Sequence, residues 1–143
     1  ELFYAPVEDS INGHITFQVP SNYNGFSFKK PIHLDFKDGR VINHQTKDNQ
    51  EGLDKLINSD EGARSVGEFG IGFNEGIKYA IGETLFDEKI SGTIHLALGR
   101  ALSDNLNEGG GHNDSGIHWD IICDLRPNYK EFKKMVNGLF NYL

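Results

Sequence analysis

Apolar and polar side chains alternate from Ile32 to Phe36, and the chain then passes through Lys37, Asp38, Gly39 and Arg40 into Val41 to His44. A period of two lays one face of a strand on a core, and Asp-Gly between two such runs is the chemistry of a two-residue hairpin turn. An antiparallel hairpin is thus written into the first third of the sequence, and the remaining segments must supply its neighbours. Short runs rich in aromatic and branched residues at Leu2 to Ala5, Ile11 to Val19 and Phe26 to Phe28 read as further strands. They are separated by Asp9-Ser10, Asn12-Gly13 and Pro20-Ser21-Asn22 punctuation. Ser65 to Gly72 returns to strand character. Thr93 to Leu98 is apolar on both parities, as a strand buried on both faces is, and Ile117 to Leu125 reads as another buried strand.

Helical signal is scarce. Asp48 to Ser59 carries Leu53, Leu56 and Ile57 at helical spacing, behind Asp48 or Asn49 as a cap and with Gly62 as its end. Glu83 to Lys89 fits either element, Asn105 to Ser115 reads as a loop around Gly109 to Gly111, and Phe132 to Leu143 reads as a helix or a hairpin around Asn137-Gly138. The 17 glycines exceed the usual share of about 7% and imply many tight turns. The expected class is α+β, mainly antiparallel strands with one to three short helices, in a single domain over residues 1–143. The sequence opens at Glu1, without an initiator Met and inside a strand pattern, so an upstream region is expected.

The net charge of -7 opposes a phosphate backbone and excludes nucleic acid as the expected partner. A single cysteine, Cys123, rules out an internal disulfide and a four-cysteine zinc site, and points to the cytoplasm. No apolar run approaches the roughly 18 to 20 residues needed to span a bilayer, so no membrane partner is expected.

His118, Trp119 and Asp120 hold the most informative spacing. Strand residues two apart share a face about 6.5 to 7 Å from each other, so His118 and Asp120 can converge on one metal ion. Imidazole suits zinc and cobalt, and a carboxylate can bridge two ions. Taken alone, such a pair also fits a strand in which His and Asp hydrogen-bond their neighbours. His95, inside the apolar stretch Thr93 to Leu98, needs partners for its nitrogens, and Glu68 between Gly67 and Phe69 is a charge with the same need. Two awkward buried groups suggest one shared site. Asp87 and Glu88 add carboxylates able to act as a base or to orient ligands.

Other chemistries fit worse. The run from Gly70 to Gly76 places its third glycine one position late for a dinucleotide-binding turn. Ser115, His118 and Asp120 contain the letters of a hydrolase triad without a nucleophile elbow, no HExxH helix is present, and Cys123 belongs in a core. His14, His33 and His44 read as sheet-face or solvated histidines, and His112 as a polar loop residue.

Four motifs in order resemble the thermophilic metallo-aminopeptidases of the aminopeptidase T and S family: Glu1 to Pro6 with Ser10 to Gly13, Arg64 to Glu68, Asp87 to Gly99, and Ser115 to Asp120. The resemblance extends more loosely through Val136 to Gly138. It implies metal ligands at Glu1, Glu68, His95, His118 and Asp120, and hydrolysis of N-terminal residues from peptides. Glu1, Glu68 and Asp120 would bring three negative charges, which favours two divalent ions, zinc, cobalt or similar, over one. Glu88 is the candidate proton shuttle, with a ligand-orienting role as its alternative. The family tyrosine seven residues beyond His95 is Leu102 here. By the same resemblance the chain is the C-terminal metal-binding part of a longer enzyme, with a peptide substrate, an N-terminal domain and, in a dimer, a second copy as partners. As a fragment it is expected to turn over weakly or not at all. The competing readings are a metal-binding or assembly domain without catalysis and a plain α+β structural domain.

Overall fold

The computed structural model of the chain describes residues 1–102 and 110–126. In these, nine strands and two α-helices follow in the order β1 (Leu2–Tyr4), β2 (Gly13–Phe17), β3 (Ser21–Tyr23), β4 (Phe26–Phe28), β5 (Ile32–Lys37), β6 (Arg40–Thr46), α1 (Gln50–Ile57), β7 (Val66–Ile71), α2 (Thr84–Asp87), β8 (Thr93–Gly99) and β9 (His118–Asp124). A 3₁₀ turn covers Gly62–Arg64. The fold is thus mostly antiparallel strand with little helix. The expected tail element at 132–143 and residues 105–109 of the expected loop lie outside the described residues.

The strands form a four-stranded sheet β1-β7-β8-β9, a three-stranded sheet β2-β5-β6 and a two-stranded hairpin β3-β4. Every pairing between these strands is antiparallel. The β5–β6 hairpin turns at Asp38 and Gly39, whose φ values of 47° and 74° are the pair of positive angles a type I′ turn needs. Asn24 and Gly25, at 47° and 79°, close β3 onto β4 in the same way. Ser21 and Asn22, read from sequence as punctuation with Pro20, therefore belong to a strand. Gly62 does not end α1: the helix stops at Asn58, and Gly62 opens the 3₁₀ turn. Asn49 is the N-cap, its side chain accepting from the Gly52 N–H at 3.1 Å.

One apolar layer joins the two larger sheets. Ile94, Leu96 and Leu98 of β8 and Trp119, Ile121 and Cys123 of β9 belong to the same cluster as Phe17, Leu34, Phe36 and Val41, with Leu53, Leu56 and Ile57 of α1 closing one side. Each such Val, Leu, Ile or Phe contributes about 1.5–3 kcal/mol on burial. Trp119 is held by polarity as well: its indole N–H donates to Ser21 Oγ at 2.9 Å, and its ring contacts those of Tyr23 and Phe28. The odd positions of β9 thus anchor the strand, and His118 and Asp120 face the other way, half-buried. That corrects the sequence expectation for β9, which is fully buried on one face only. Among the described residues no helix is long and apolar enough to cross a membrane.

Candidate metal centre

The face of the four-stranded sheet away from the apolar layer gathers the polar groups. Register pairs Glu68 with Ala97 and Ala97 with Asp120, pairs Gly99 with His118, and places His95 opposite Gly70. A β-bulge between Val66 and Glu68 sets this up. In a regular strand these two residues would point the same way; the extra residue, Gly67, lets Val66 enter the apolar layer and sends Glu68 to the opposite face. Gly67 is required there, since a Cβ would lie 2.1 Å from the Gly99 carbonyl oxygen. At Gly70 a Cβ would stand 2.1 and 2.2 Å from two His95 ring atoms, so the missing side chain is the space His95 occupies.

His95 is 0% exposed and Glu68 5%. Their Nε2 and Oε1 lie 3.1 Å apart. His118 Nε2 stands 3.8 Å from Glu68 Oε2 and 3.5 Å from Asp120 Oδ2. The other His118 nitrogen, Nδ1, donates to the Arg100 carbonyl at 2.7 Å. A carbonyl only accepts, so this bond fixes the proton on Nδ1 and leaves Nε2 of the neutral ring with its lone pair toward the carboxylates. Glu68, His95 and Asp120 each offer a ligand atom, all within 4.8 Å of one another, and so do Glu1, Glu88 and His95. His95 is common to both groups.

Among the described residues four buried side-chain polar atoms lack a hydrogen-bond partner, and three of them are Glu68 Oε2, His95 Nδ1 and Asp120 Oδ1. Leaving such atoms unpaired costs about 1–3 kcal/mol each, more for charged groups. Three in one cluster is a set of donors with electron pairs and nothing to give them to, and carboxylate and imidazole are donors that zinc and cobalt accept. The residues present fit a divalent cation. The field agrees. Burial lowers the His118 pKa, but the Asp120 carboxylate, the Arg100 carbonyl and Glu68 outweigh it and push the ring up to about 9. His95 is raised too: burial opposes this, and the Glu68 hydrogen bond and the charges of Asp120, Glu88 and Glu68 prevail. Burial, then Asp120 and Glu1, raise Glu88, against the hydrogen bond from Lys89.

The sequence-derived residues Glu1, Glu68, Glu88, His95, His118 and Asp120 therefore come together. Asp87 does not join them: it is buried, and its carboxylate accepts from the Ile81 and Gly82 N–H groups at 2.8 Å each. Ser115 Oγ donates to Asp60 at 2.8 Å, which leaves no triad with His118. His33 bonds Thr16 and Asp35 on the three-stranded sheet and His44 bonds Asp54, as sheet-face histidines do. His112 is exposed, with its backbone N–H on Glu8, and Leu102 is 46% exposed. Three positioning groups escaped the sequence reading. Lys89 Nζ lies 2.7 Å from both Glu1 Oε1 and Glu88 Oε1. The Arg100 carbonyl holds His118, and Asp60 ties down the segment before β9.

Fold and cluster together define a class, a mostly antiparallel β-rich chain with a candidate divalent-metal centre on one sheet face. Residues 1–134 match the model of the thermophilic metalloprotease family (M29), and the chain belongs to that family. It is 34% identical over 139 residues to Aminopeptidase 2 of Geobacillus stearothermophilus and 31% identical over 137 residues to aminopeptidase AmpS of Bacillus subtilis, covering 85% of this chain and 32% of each relative. The chain thus spans about a third of the length of the curated relatives it matches. Wild-type AmpT from Thermus thermophilus superposes with a TM-score of 0.70 at 28% identity, over 83% of this chain and 32% of that one. A 2,5-dihydroxypyridine dioxygenase from Pseudomonas putida KT2440 shares the fold, with a TM-score of 0.61 at 20% identity over 85% of this chain and 37% of that one.

Proposed function

We propose that the chain is the metal-binding catalytic part of a metal-dependent aminopeptidase that removes N-terminal residues from peptides at a two-metal centre. The observation that carries this reading is the convergence of two ligand groups through His95, with three orphaned ligand atoms, in a chain of the M29 family. Glu68, His95, His118 and Asp120 would hold one ion, and Glu1 and Glu88, which also gather around His95, would serve a second. Two bound divalent ions supply Lewis acidity and make a shared water nucleophilic near neutral pH. The protein's own groups do the rest. The Arg100 carbonyl keeps His118 in the tautomer that ligates, the bulge at Gly67 aims Glu68, and Lys89 holds the Glu1 and Glu88 carboxylates together; were Glu88 not to ligate, its carboxyl would be the group placed to carry a proton toward the leaving amine.

On this reading residues 1–143 form a single C-terminal domain in a cytoplasmic enzyme. The length present in the relatives and not in this chain would complete the cleft, and a peptide, that region and a second copy are the partners. Leu102 in place of the family tyrosine favours a second reading, a metal-binding or assembly domain without hydrolysis. Turnover of leucyl-p-nitroanilide with cobalt or zinc in excess separates the two. Slow hydrolysis that a chelator and Glu68→Gln both abolish is the expected result. Bound metal without any turnover favours the second reading, and a rate indifferent to chelator and to Glu68→Gln contradicts the first.

A further inference from the structure

The two ligand groups are not equivalent before any ion arrives. In the first, Glu68 Oε2, His95 Nδ1 and Asp120 Oδ1 have no hydrogen-bond partner. In the second, Glu1 and Glu88 share the ammonium of Lys89, 2.7 Å from an oxygen of each. The Lys89 side chain is 38% exposed, whereas those of Glu1 and Glu88 are 16% and 7% exposed, so the ammonium lies at the mouth of a largely covered anionic pair. A cation serving Glu1 and Glu88 has to draw on the same carboxylates. It must displace the ammonium or accept its repulsion at a few ångströms, a separation at which unit charges interact strongly even with partial screening.

Resting on the two-metal reading, we propose that Lys89 is a resident counter-ion that competes with the second metal, so that the centre fills in order: first at Glu68, His95, His118 and Asp120, then at Glu1 and Glu88. The side chain does two things at once. Without metal it bridges two carboxylates and offsets their repulsion beside His95. With metal in the first position it keeps the second affinity low, which makes the doubly loaded form depend on metal supply. A long side chain with one end at the surface can swing away without unpacking the core, so the switch from ammonium to metal needs no movement of the sheet.

The test is calorimetric titration with cobalt of the wild-type chain, Lys89→Gln and Lys89→Arg. Wild type is expected to bind two equivalents in separate phases, or one with a second too weak to see. Lys89→Gln is expected to tighten the second phase roughly tenfold, as removal of one opposing charge a few ångströms from a divalent ion should, and to leave the first within about twofold. Lys89→Arg, which keeps the charge, should behave as wild type. In chelator, Lys89→Gln should melt below wild type and gain more from added cobalt, a pattern that loss of fold would not give. A second phase unchanged or weakened in Lys89→Gln, with the first intact, overturns the role of Lys89 and leaves the metal centre standing. A wild-type chain that takes up no cobalt overturns both.

Discussion

His95 illustrates how one side chain is placed by the absence of another. Its ring fills the volume above Gly70, so Gly70→Ala should force either the ring or the strand to move. Overpacking of this kind costs about 1–3 kcal/mol, and here it also spoils a ligand. Urea unfolding should register the loss and cobalt titration a weakened first phase; a variant with wild-type stability and affinity would show that the sheet yields freely at this point. His118 and His112 make the complementary comparison. His118 has one nitrogen fixed on the Arg100 carbonyl and the other facing Glu68 and Asp120, while His112 is exposed. His118→Ala should lower metal affinity by roughly a hundredfold or more, since few ligands share the binding free energy, and His112→Ala should leave it intact. Equal metal content after dialysis would count against the ligand assignment. At this scale the sequence was most informative about groups that interrupt an apolar run, which is why His95, His118, Asp120 and Glu68 were legible. Lys89 was not, because its partners are the adjacent Glu88 and a residue 88 positions away, and a lysine in a motif looks like any solvated cation.

Element by element, what carried over from sequence was the strand pattern, and what did not was anything defined between strands. Asp38-Gly39 announced the β5–β6 hairpin; Asn24-Gly25 carried the same signal for β3–β4 but lay beside runs of only three residues. The bulge that turns Glu68 is a property of the register of β7 against β8, and only pairing reveals it. Asp60 is a third case. Its carboxylate accepts from Ser115 Oγ, the Gly116 N–H and the Ala63 N–H, tying the 3₁₀ turn to the segment that leads into β9. The bond from Ser115 lowers its pKa most, burial opposes it, and the backbone N–H groups of Gly116, Ala63 and Gly62 add to the lowering. A carboxyl depressed in the folded state stabilises above its unfolded value, about 3.9, and that contribution is lost as pH falls through the folded value. Wild type should therefore lose denaturation midpoint on acidification below about pH 4 more steeply than Asp60→Asn, and Asp60→Asn should already be less stable at pH 7. Parallel acid limbs in the two proteins would show that the tie carries no stability.

For the molecule as a whole, folding and metal binding are coupled. Packing of β8 and β9 against the apolar layer supplies the rigidity, and the opposite face of the sheet collects polar groups of which, among the described residues, Glu68 Oε2, His95 Nδ1 and Asp120 Oδ1 have no hydrogen-bond partner. A cation that binds only the folded form stabilises it by about 2.7 kcal/mol at a hundred times its Kd, so the melting temperature should rise with cobalt or zinc and fall with chelator. Magnesium, which retains its waters and prefers oxygen ligands, should do less. The net charge of -7 draws any cation toward the surface, and a thermal shift alone does not say where the ion sits. Anomalous diffraction from cobalt-soaked crystals does. The strongest peak is expected among the side chains of Glu68, His95, His118 and Asp120, at about 2.0–2.2 Å from ligating nitrogen and oxygen atoms, with a second, weaker peak beside Glu1 and Glu88. Cobalt found only elsewhere on the surface, or none in this cluster at saturating concentration, would contradict the metal centre and the function built on it.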